Sequence, residues 1–156
     1  MIDIYHFSNP LSTHCLTTEH YLTNITSDIA ERTHLHFVPL INTTIIQKFK
    51  NHTLSLSMND CISDTSEILF NVILDFKAAQ LEGNKKARYF LIQLQHELLI
   101  NQKHYTASLV NQILDKSGIN HADFLTNRAN EEAISAIIKD QKCAEKIMKK
   151  NVPLLH

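Results

Sequence analysis

Four consecutive residues near the start of the chain, from Ser12 to Cys15, have the types and spacing of a thiol site. Dithiol exchange needs a nucleophilic thiolate at a helix N-terminus and a second thiol that resolves the mixed disulfide. The first of these positions is Ser12, and a serine hydroxyl does not attack disulfides. The spacing therefore indicates a degenerate Ser-x-x-Cys motif, formed by Ser12, Thr13, His14 and Cys15, without dithiol activity.

The simplest interpretation of this motif is structural. Ser12 or Thr13 caps the first turn of a helix, and Cys15, one turn further on, packs inside. Two alternatives stay open. Cys15 alone could act as a monothiol exchanger, and the Ser12 hydroxyl at a helix N-terminus could stabilise the thiolate of a bound ligand.

Histidine is abundant, with ten residues in the chain, so a metal site has to be considered. Structural zinc needs four ligands at clustered spacings. His14 adjoins Cys15, and His34 and His36 share one strand face, but no acid or cysteine lies near these two in the sequence. With only two glycines there is also no phosphate-binding loop. We therefore expect neither a metal ion nor a cofactor.

Two further cysteines and a group of lysines could also carry function. Cys143 lies in an apolar helical pattern and is predicted to be a small buried side chain, whereas Cys61 lies in a polar stretch and is given no role. Scattered in this way, the cysteines do not form a disulfide framework. The last helix carries basic residues, which we expect on its solvent face near the negative end of the helix dipole; an acidic partner is the alternative. They are Lys139, Lys142, Lys146, Lys149 and Lys150.

The bulk properties are those of one globular domain. The chain has 156 residues, a net charge of −1 and 44% hydrophobic residues, enough for a core and without a charge bias toward nucleic acid or anionic membranes. No apolar run approaches the roughly 18 residues of a membrane helix, and no secretory leader precedes the first apolar segment. These features predict a cytoplasmic protein.

Hydrophobic periodicity places a strand at Ile2 to Phe7, a helix over about 12–32 and a second strand over 33–41. This order predicts a βαβ unit with parallel strands. The polar segment 42–60 is expected to be a boundary or a loosely ordered connection. Helices follow, ended by Gly83 and Gly118, with a cap at Asn120, and a long helix ends near Asn151, before Pro153.

This order divides the chain into three parts. Residues 1–49 form the N-terminal βαβ half, 50–128 a connection and helical insertion, and 129–156 a long helix that returns to the first part. Two parallel strands alone leave both sheet edges open. We therefore expect either that further strands followed the chain end in a longer protein or that a partner supplies them, including a second copy in a homodimer.

Three segments resemble a known family. "IYHFSNPLSTHC" resembles the start of DsbA-like thioredoxin folds, in which the first strand enters a proline-containing turn and a C-x-x-C motif. "DFKAAQLEGNKKARYFLIQLQHELLINQKHYT" resembles the helical domain of the YjbH/SpxH adapter family of low-GC Gram-positive bacteria, and "IIKDQKCAEKIMKKNVPLL" resembles the closing helix of that family. The resemblance implies an α/β, thioredoxin-like (DsbA-like) fold with a helical insertion, whose C-terminal strands are missing. It also implies that Pro153 is the cis-proline of that fold.

The resemblance implies an adapter that binds the stress regulator Spx and promotes its degradation by the ClpXP protease. The family's His/Cys-rich N-terminal arm, associated with zinc, is absent from the given sequence, so metal regulation is not carried over. The alternative is an enzyme: a thiol-disulfide oxidoreductase, or a glutathione-dependent enzyme like the kappa-type glutathione transferases, in which a serine near the position of Ser12 activates the glutathione thiol.

Overall fold

The computed structural model describes residues 2–29, 33–50 and 64–151. Two strands and seven α-helices follow one another in these ranges, and a π-helical turn, His96–Ile100, extends the fourth helix. The elements are β1 (Ile2–Ser8), α1 (Thr13–Ile29), β2 (Thr33–Pro39), α2 (Thr43–Phe49), α3 (Thr65–Gln80), α4 (Asn84–Gln95), α5 (Ala107–Ser117), α6 (His121–Ala129) and α7 (Glu131–Asn151). Among the described residues, no helix has both the length and the apolar character needed to span a membrane.

The two strands pair in parallel, as the βαβ prediction requires. The register runs from Ile2 opposite Thr33 to Ser8 opposite Pro39. Leu35 and the aromatic residue two positions later are buried, so the alternation predicted for β2 is present on its inner face. That face packs with α1 and α4 around the larger of two hydrophobic clusters.

The segment predicted to be a loose connection begins with a helix. The Asn42 side chain accepts a hydrogen bond from the Thr44 N–H at 2.8 Å and so caps α2. Ile46 and Phe49, three residues apart on one helix face, are buried, and the Phe49 ring lies 6.2 Å from that of Phe70 on α3. The apolar pair on one face explains why this short polar segment is helical, and residues 51–63 lie outside the described part.

The third helix forms the centre of the helical block. All residues from Phe70 to Ala79 are buried, because α2, α4, α6 and α7 surround α3. The helix ends that the sequence predicts are confirmed at two points. Gly118 adopts φ +69° after α5, and the Asn120 side chain accepts a hydrogen bond from the Asp123 N–H at 2.9 Å at the start of α6.

Side chains of the helical block hold the backbone around the strands at three points. The Gln95 amide of α4 donates to the Pro10 carbonyl at 2.9 Å, before α1. The Gln141 amide of α7 donates to the Pro39 carbonyl at 2.9 Å and accepts from the Ile41 N–H at 3.0 Å, beyond β2. The third contact, from α4 to β2, joins Arg88 to a backbone carbonyl. These bonds fix where the βαβ unit lies against the helices.

Candidate functional site at the start of the first helix

A tight turn carries the chain from β1 into α1. The Ser12 N–H donates to the Asn9 carbonyl at 3.0 Å, and the Asn9 side chain accepts from the Leu11 N–H at 3.0 Å. Asparagine at the first position and Pro10 at the second favour such a turn, because proline presets φ and the asparagine side chain bonds the backbone two residues on. The helix α1 begins at Thr13, directly after this turn.

Ser12 caps this helix, as predicted. Its Oγ accepts a hydrogen bond from the Cys15 N–H at 3.4 Å, and its carbonyl accepts from the Leu16 N–H at 3.1 Å. Thr13 and His14 are exposed. The hydroxyl thus accepts from one N–H group of the first turn. It lies at the helix end where a nucleophilic thiol would be needed.

Cys15 does not pack inside as expected: its side chain is half-buried, and the thiol is free. The buried residue of this turn is Leu16, which is 3% exposed and belongs to the core. Successive helical residues point about 100° apart, so only one of the two can face the sheet. Pro153, the second residue that the motif would involve, lies outside the described residues, as does Cys61.

A buried acid and a histidine lie near the turn. The Glu19 side chain, one helical turn after Cys15, is fully buried, and its Oε1 lies 3.5 Å from Nε2 of His6, which is 11% exposed. Neither carboxylate oxygen of Glu19 forms a hydrogen bond with a described residue. Burial of a polar side chain without a hydrogen bond costs free energy, so this pair is an unusual polar feature of the interior. Sequence reasoning missed it, although Glu19 stands three residues from Leu16 on the buried helix face.

A second buried polar network joins three parts of the helical block. Asp75 of α3 accepts a hydrogen bond from Nε of Arg128, on α6, at 2.6 Å, and its other oxygen accepts from the hydroxyl of Tyr105, before α5. Arg128 also donates to the side chain of Asn71. Burial and the neighbouring Asp75 raise the pKa of Tyr105 well above its ordinary value, so the phenol stays protonated and donates. Asn71 and Asp75 are polar residues inside an apolar helical pattern, and this feature of the sequence could have indicated a buried polar network.

The histidines of β2 lie beside an acid that the sequence separates from them. The parallel register brings Asp3 of β1 next to these residues, and Nε2 of His36 lies 3.1 Å from Oδ1 of Asp3. The His36 ring also stacks on Tyr5, with centroids 4.6 Å apart. Within the described ranges, no three His, Cys, Asp or Glu side chains are close enough together to hold a metal ion.

The prediction that Cys143 is buried is wrong, because the structure places this residue on the surface. The buried face of α7 is formed by Ala133, Ile137 and Ala144. Cys143 precedes Ala144 by one residue and therefore points about 100° away from this face. The lysines of α7 whose side chains are described are exposed, as predicted; they are Lys139, Lys142 and Lys146.

The fold and the βα turn place the chain in a known class. A thioredoxin family model matches residues 5–155. The chain therefore belongs to the thioredoxin family, and the predicted thioredoxin-like, helix-rich fold is confirmed. A solved structure described as a candidate protein disulfide isomerase from Nitrosomonas europaea has the same fold: it aligns with 92% of this chain and 78% of its own, with a TM-score of 0.67 and 12% identity.

A curated relative agrees with the resemblance seen in the helical block. The ClpXP adapter protein SpxH of Staphylococcus saprophyticus is 26% identical over 123 residues, which are 79% of this chain and 42% of the relative. This chain thus matches less than half of that adapter's length. The similarity extends over most of this chain.

Proposed function

We propose that this protein is an adapter that binds the stress regulator Spx and promotes its degradation by the ClpXP protease, without dithiol redox activity. The observation that carries the proposal is the hydroxyl of Ser12 at the N-cap of α1. A thioredoxin fold with a hydroxyl at this position keeps its surface but lacks the group that starts disulfide exchange. No catalytic residue, metal or cofactor is assigned to Ser12, Thr13, His14, Cys15 or Pro153.

The curated relative supports an adapter function, since its name describes a ClpXP adapter.

We extend the proposal to the organisation of the chain: residues 1–49 and 129–156 form the thioredoxin-like part, and 50–128 the connection and helical insertion. An adapter of this kind acts in the cytoplasm and needs neither nucleic acid nor a membrane. A homodimer through the open sheet edge belongs to the proposal and is tested by sedimentation at several concentrations.

The test is a reconstituted degradation assay. Purified Spx and ClpXP are mixed with and without this chain, and the loss of Spx is followed over time, with a pull-down to measure binding directly. We expect Spx to be captured and its degradation to accelerate. A replacement of Cys15 by serine should leave both results unchanged. Absence of capture together with an unchanged degradation rate would show that the adapter proposal is wrong.

An enzyme remains the second candidate, either a thiol-disulfide oxidoreductase or a glutathione-dependent enzyme. The observation that favours it is the position of the Ser12 hydroxyl at the positive end of a 17-residue helix, where a bound thiolate would be stabilised. Titration calorimetry with glutathione tests the glutathione-dependent enzyme. Binding that disappears in Ser12→Ala favours this enzyme, and no binding at millimolar glutathione removes it. Catalysed reduction of a peptide disulfide by the unmodified protein would contradict the adapter proposal.

A further inference from the structure

A groove of about 570 Å³ lies between α1, β2 and α4. It runs beside the later turns of α1, where His20 and Thr26 line it, and not beside Ser12 and Cys15. Thr33 and Leu35 of β2 also line it. It is therefore separate from the candidate site at the start of the helix.

The groove is lined by positive charge and by hydrogen-bond donors. Lys85 and Arg88 of α4 and His20 of α1 contribute basic groups, and the amide of Gln93 and the hydroxyl of Tyr89 are further donors. None of the lining residues that the structure describes is acidic. In a chain whose net charge is −1, this separation of charge is a local property of the groove and indicates an anionic ligand.

Arg88 is the most informative of these residues. Its side chain is half-buried, and its Nη1 donates to the Leu35 carbonyl at 3.3 Å. Burial lowers the pKa of this guanidinium. Within the described part of the chain it has no carboxylate partner. A guanidinium carries five N–H donors, so several remain for a ligand, and an anion beside it would offset the cost of desolvating an unpaired charge.

The helix that carries Arg88 begins with an unfavourable arrangement of charge. Lys85 and Lys86 lie in the first turn of α4, which contains no acidic residue. Gly83, at the N-cap, provides no side-chain hydrogen bond. Cations near the positive end of a helix dipole are destabilising, whereas an anion there is favourable. A negatively charged ligand near Lys85 would therefore be bound by side chains and by the helix end together.

We propose that this groove binds an acidic, extended peptide segment, with its carboxylates against Arg88 and Lys85. The inference rests on the proposed adapter function for the source of the peptide, which is the protein that the adapter holds. Arg88 provides a planar, two-pronged donor for one carboxylate, and Lys85 a flexible point charge for the next.

The size of the groove favours a peptide over a small anion. Lys85 and Gln93 are eight residues apart on α4, which is roughly 12 Å along the helix axis. One phosphate or carboxylate contacts only part of this length, whereas an extended peptide presents alternate side chains about 7 Å apart on one face. Tyr89 and Ile92 lie between the polar groups and provide apolar contact for the intervening side chains.

The test uses two fluorescently labelled peptides, one of alternating serine and aspartate and one of alternating serine and asparagine. Fluorescence anisotropy with the full chain should show binding of the aspartate peptide, weakened by salt, and about tenfold weaker binding of the asparagine peptide. Equal affinity for the two peptides would overturn the proposal. So would binding of inorganic phosphate, measured by calorimetry, without binding of the aspartate peptide.

Three variants locate the binding site. Lys85→Glu reverses an exposed charge in the groove, and Arg88→Gln removes a charge while keeping a donor for the Leu35 carbonyl. Each variant should bind the aspartate peptide about tenfold more weakly than the unmodified chain does. Lys139→Glu makes the same charge change on the exposed surface of α7, and should leave the affinity within about twofold. If Arg88→Gln fails to fold, Lys85→Glu decides alone. An equal loss in Lys85→Glu and Lys139→Glu would show non-specific attraction and overturn the proposal.

The outcome can be separated from that of the adapter proposal. If the unmodified chain and Lys85→Glu capture Spx equally, the groove is not the binding site for Spx, and the adapter function still stands. Binding of the aspartate peptide that Lys85→Glu abolishes, in a chain that does not capture Spx, would support the groove and remove only the adapter function.

Discussion

A hydroxyl group at residue 12 changes what the first turn of α1 can do. A thiol at this position would be a nucleophile whose thiolate the helix end stabilises. The hydroxyl of Ser12 instead accepts the N–H of Cys15 and stabilises the helix itself. The free N–H groups at the start of α1 would thus stabilise a reactive thiolate if residue 12 were a cysteine. With serine at this position, they stabilise the helix.

Replacement of Ser12 by alanine should lower the stability of the fold. The variant loses an N-cap acceptor, which costs about 0.5–1 kcal/mol for a hydrogen bond of this length, and we expect the urea midpoint to fall with an unchanged slope. Thr13→Ala is the matched control, because the side chain of Thr13 is exposed and lies in the same turn. A loss in Thr13→Ala as large as that in Ser12→Ala would contradict the capping role.

At the scale of the elements, a buried ion pair joins α3 to α6. Arg128 and Asp75 are 8% and 1% exposed, and the pair is completed by Tyr105 and Asn71. Burial raises the pKa of Asp75, and the charge of Arg128 opposes this change. A carboxylate in this position is tolerable only because the Arg128 cation and the Tyr105 hydroxyl both donate hydrogen bonds to it.

Replacement of Arg128 by methionine should therefore destabilise the protein strongly. The variant leaves the Asp75 carboxylate buried without its cation, a loss of about 3–5 kcal/mol, measured by urea denaturation. The double variant Asp75→Leu with Arg128→Met should recover part of this loss, because it removes both buried charges although Tyr105 and Asn71 lose their partners. A double variant less stable than Arg128→Met alone would contradict the role of the unpaired charge.

At the scale of the whole molecule, a few side-chain amides set the βαβ unit against the helices. Gln141 forms two of these hydrogen bonds: it donates to the Pro39 carbonyl and accepts from the Ile41 N–H. These partners are about 100 positions distant in sequence, with separations of 102 and 100. The contact therefore exists only when α7 has packed beside β2.

Replacement of Gln141 by leucine should lower the free energy of unfolding by about 1–3 kcal/mol, since it leaves backbone groups at the end of β2 without partners. Gln112→Leu on α5 is the control, because Gln112 is exposed, and it should change stability by less than about 0.5 kcal/mol. Hydrogen exchange gives a second measurement, in which the Ile41 amide should lose protection. An unchanged exchange rate at Ile41 would contradict the proposed role of this contact.

The sequence predicted the features that neighbouring residues decide. The strands, most helices, the Ser12 and Asn120 caps and the helix end at Gly118 follow from periodicity and from side chains within four residues of the groups they bond. The absence of the first thiol of the motif also follows from the sequence, because residue 12 is a serine. The segment containing α2 was the exception, since its two buried apolar residues were too few to outweigh its polar composition.

Only the tertiary structure decided which polar groups meet. His6 and Glu19, Asp75 and Arg128, and the basic residues of the groove come from different elements, and their partners depend on packing angles and strand register. The exposure of Cys143 shows the same limit, because one residue along a helix is a rotation of about 100°. Hydrophobic periodicity fixes which helix face is buried, but the positions at its margin, and the charges that come together there, depend on what packs against it.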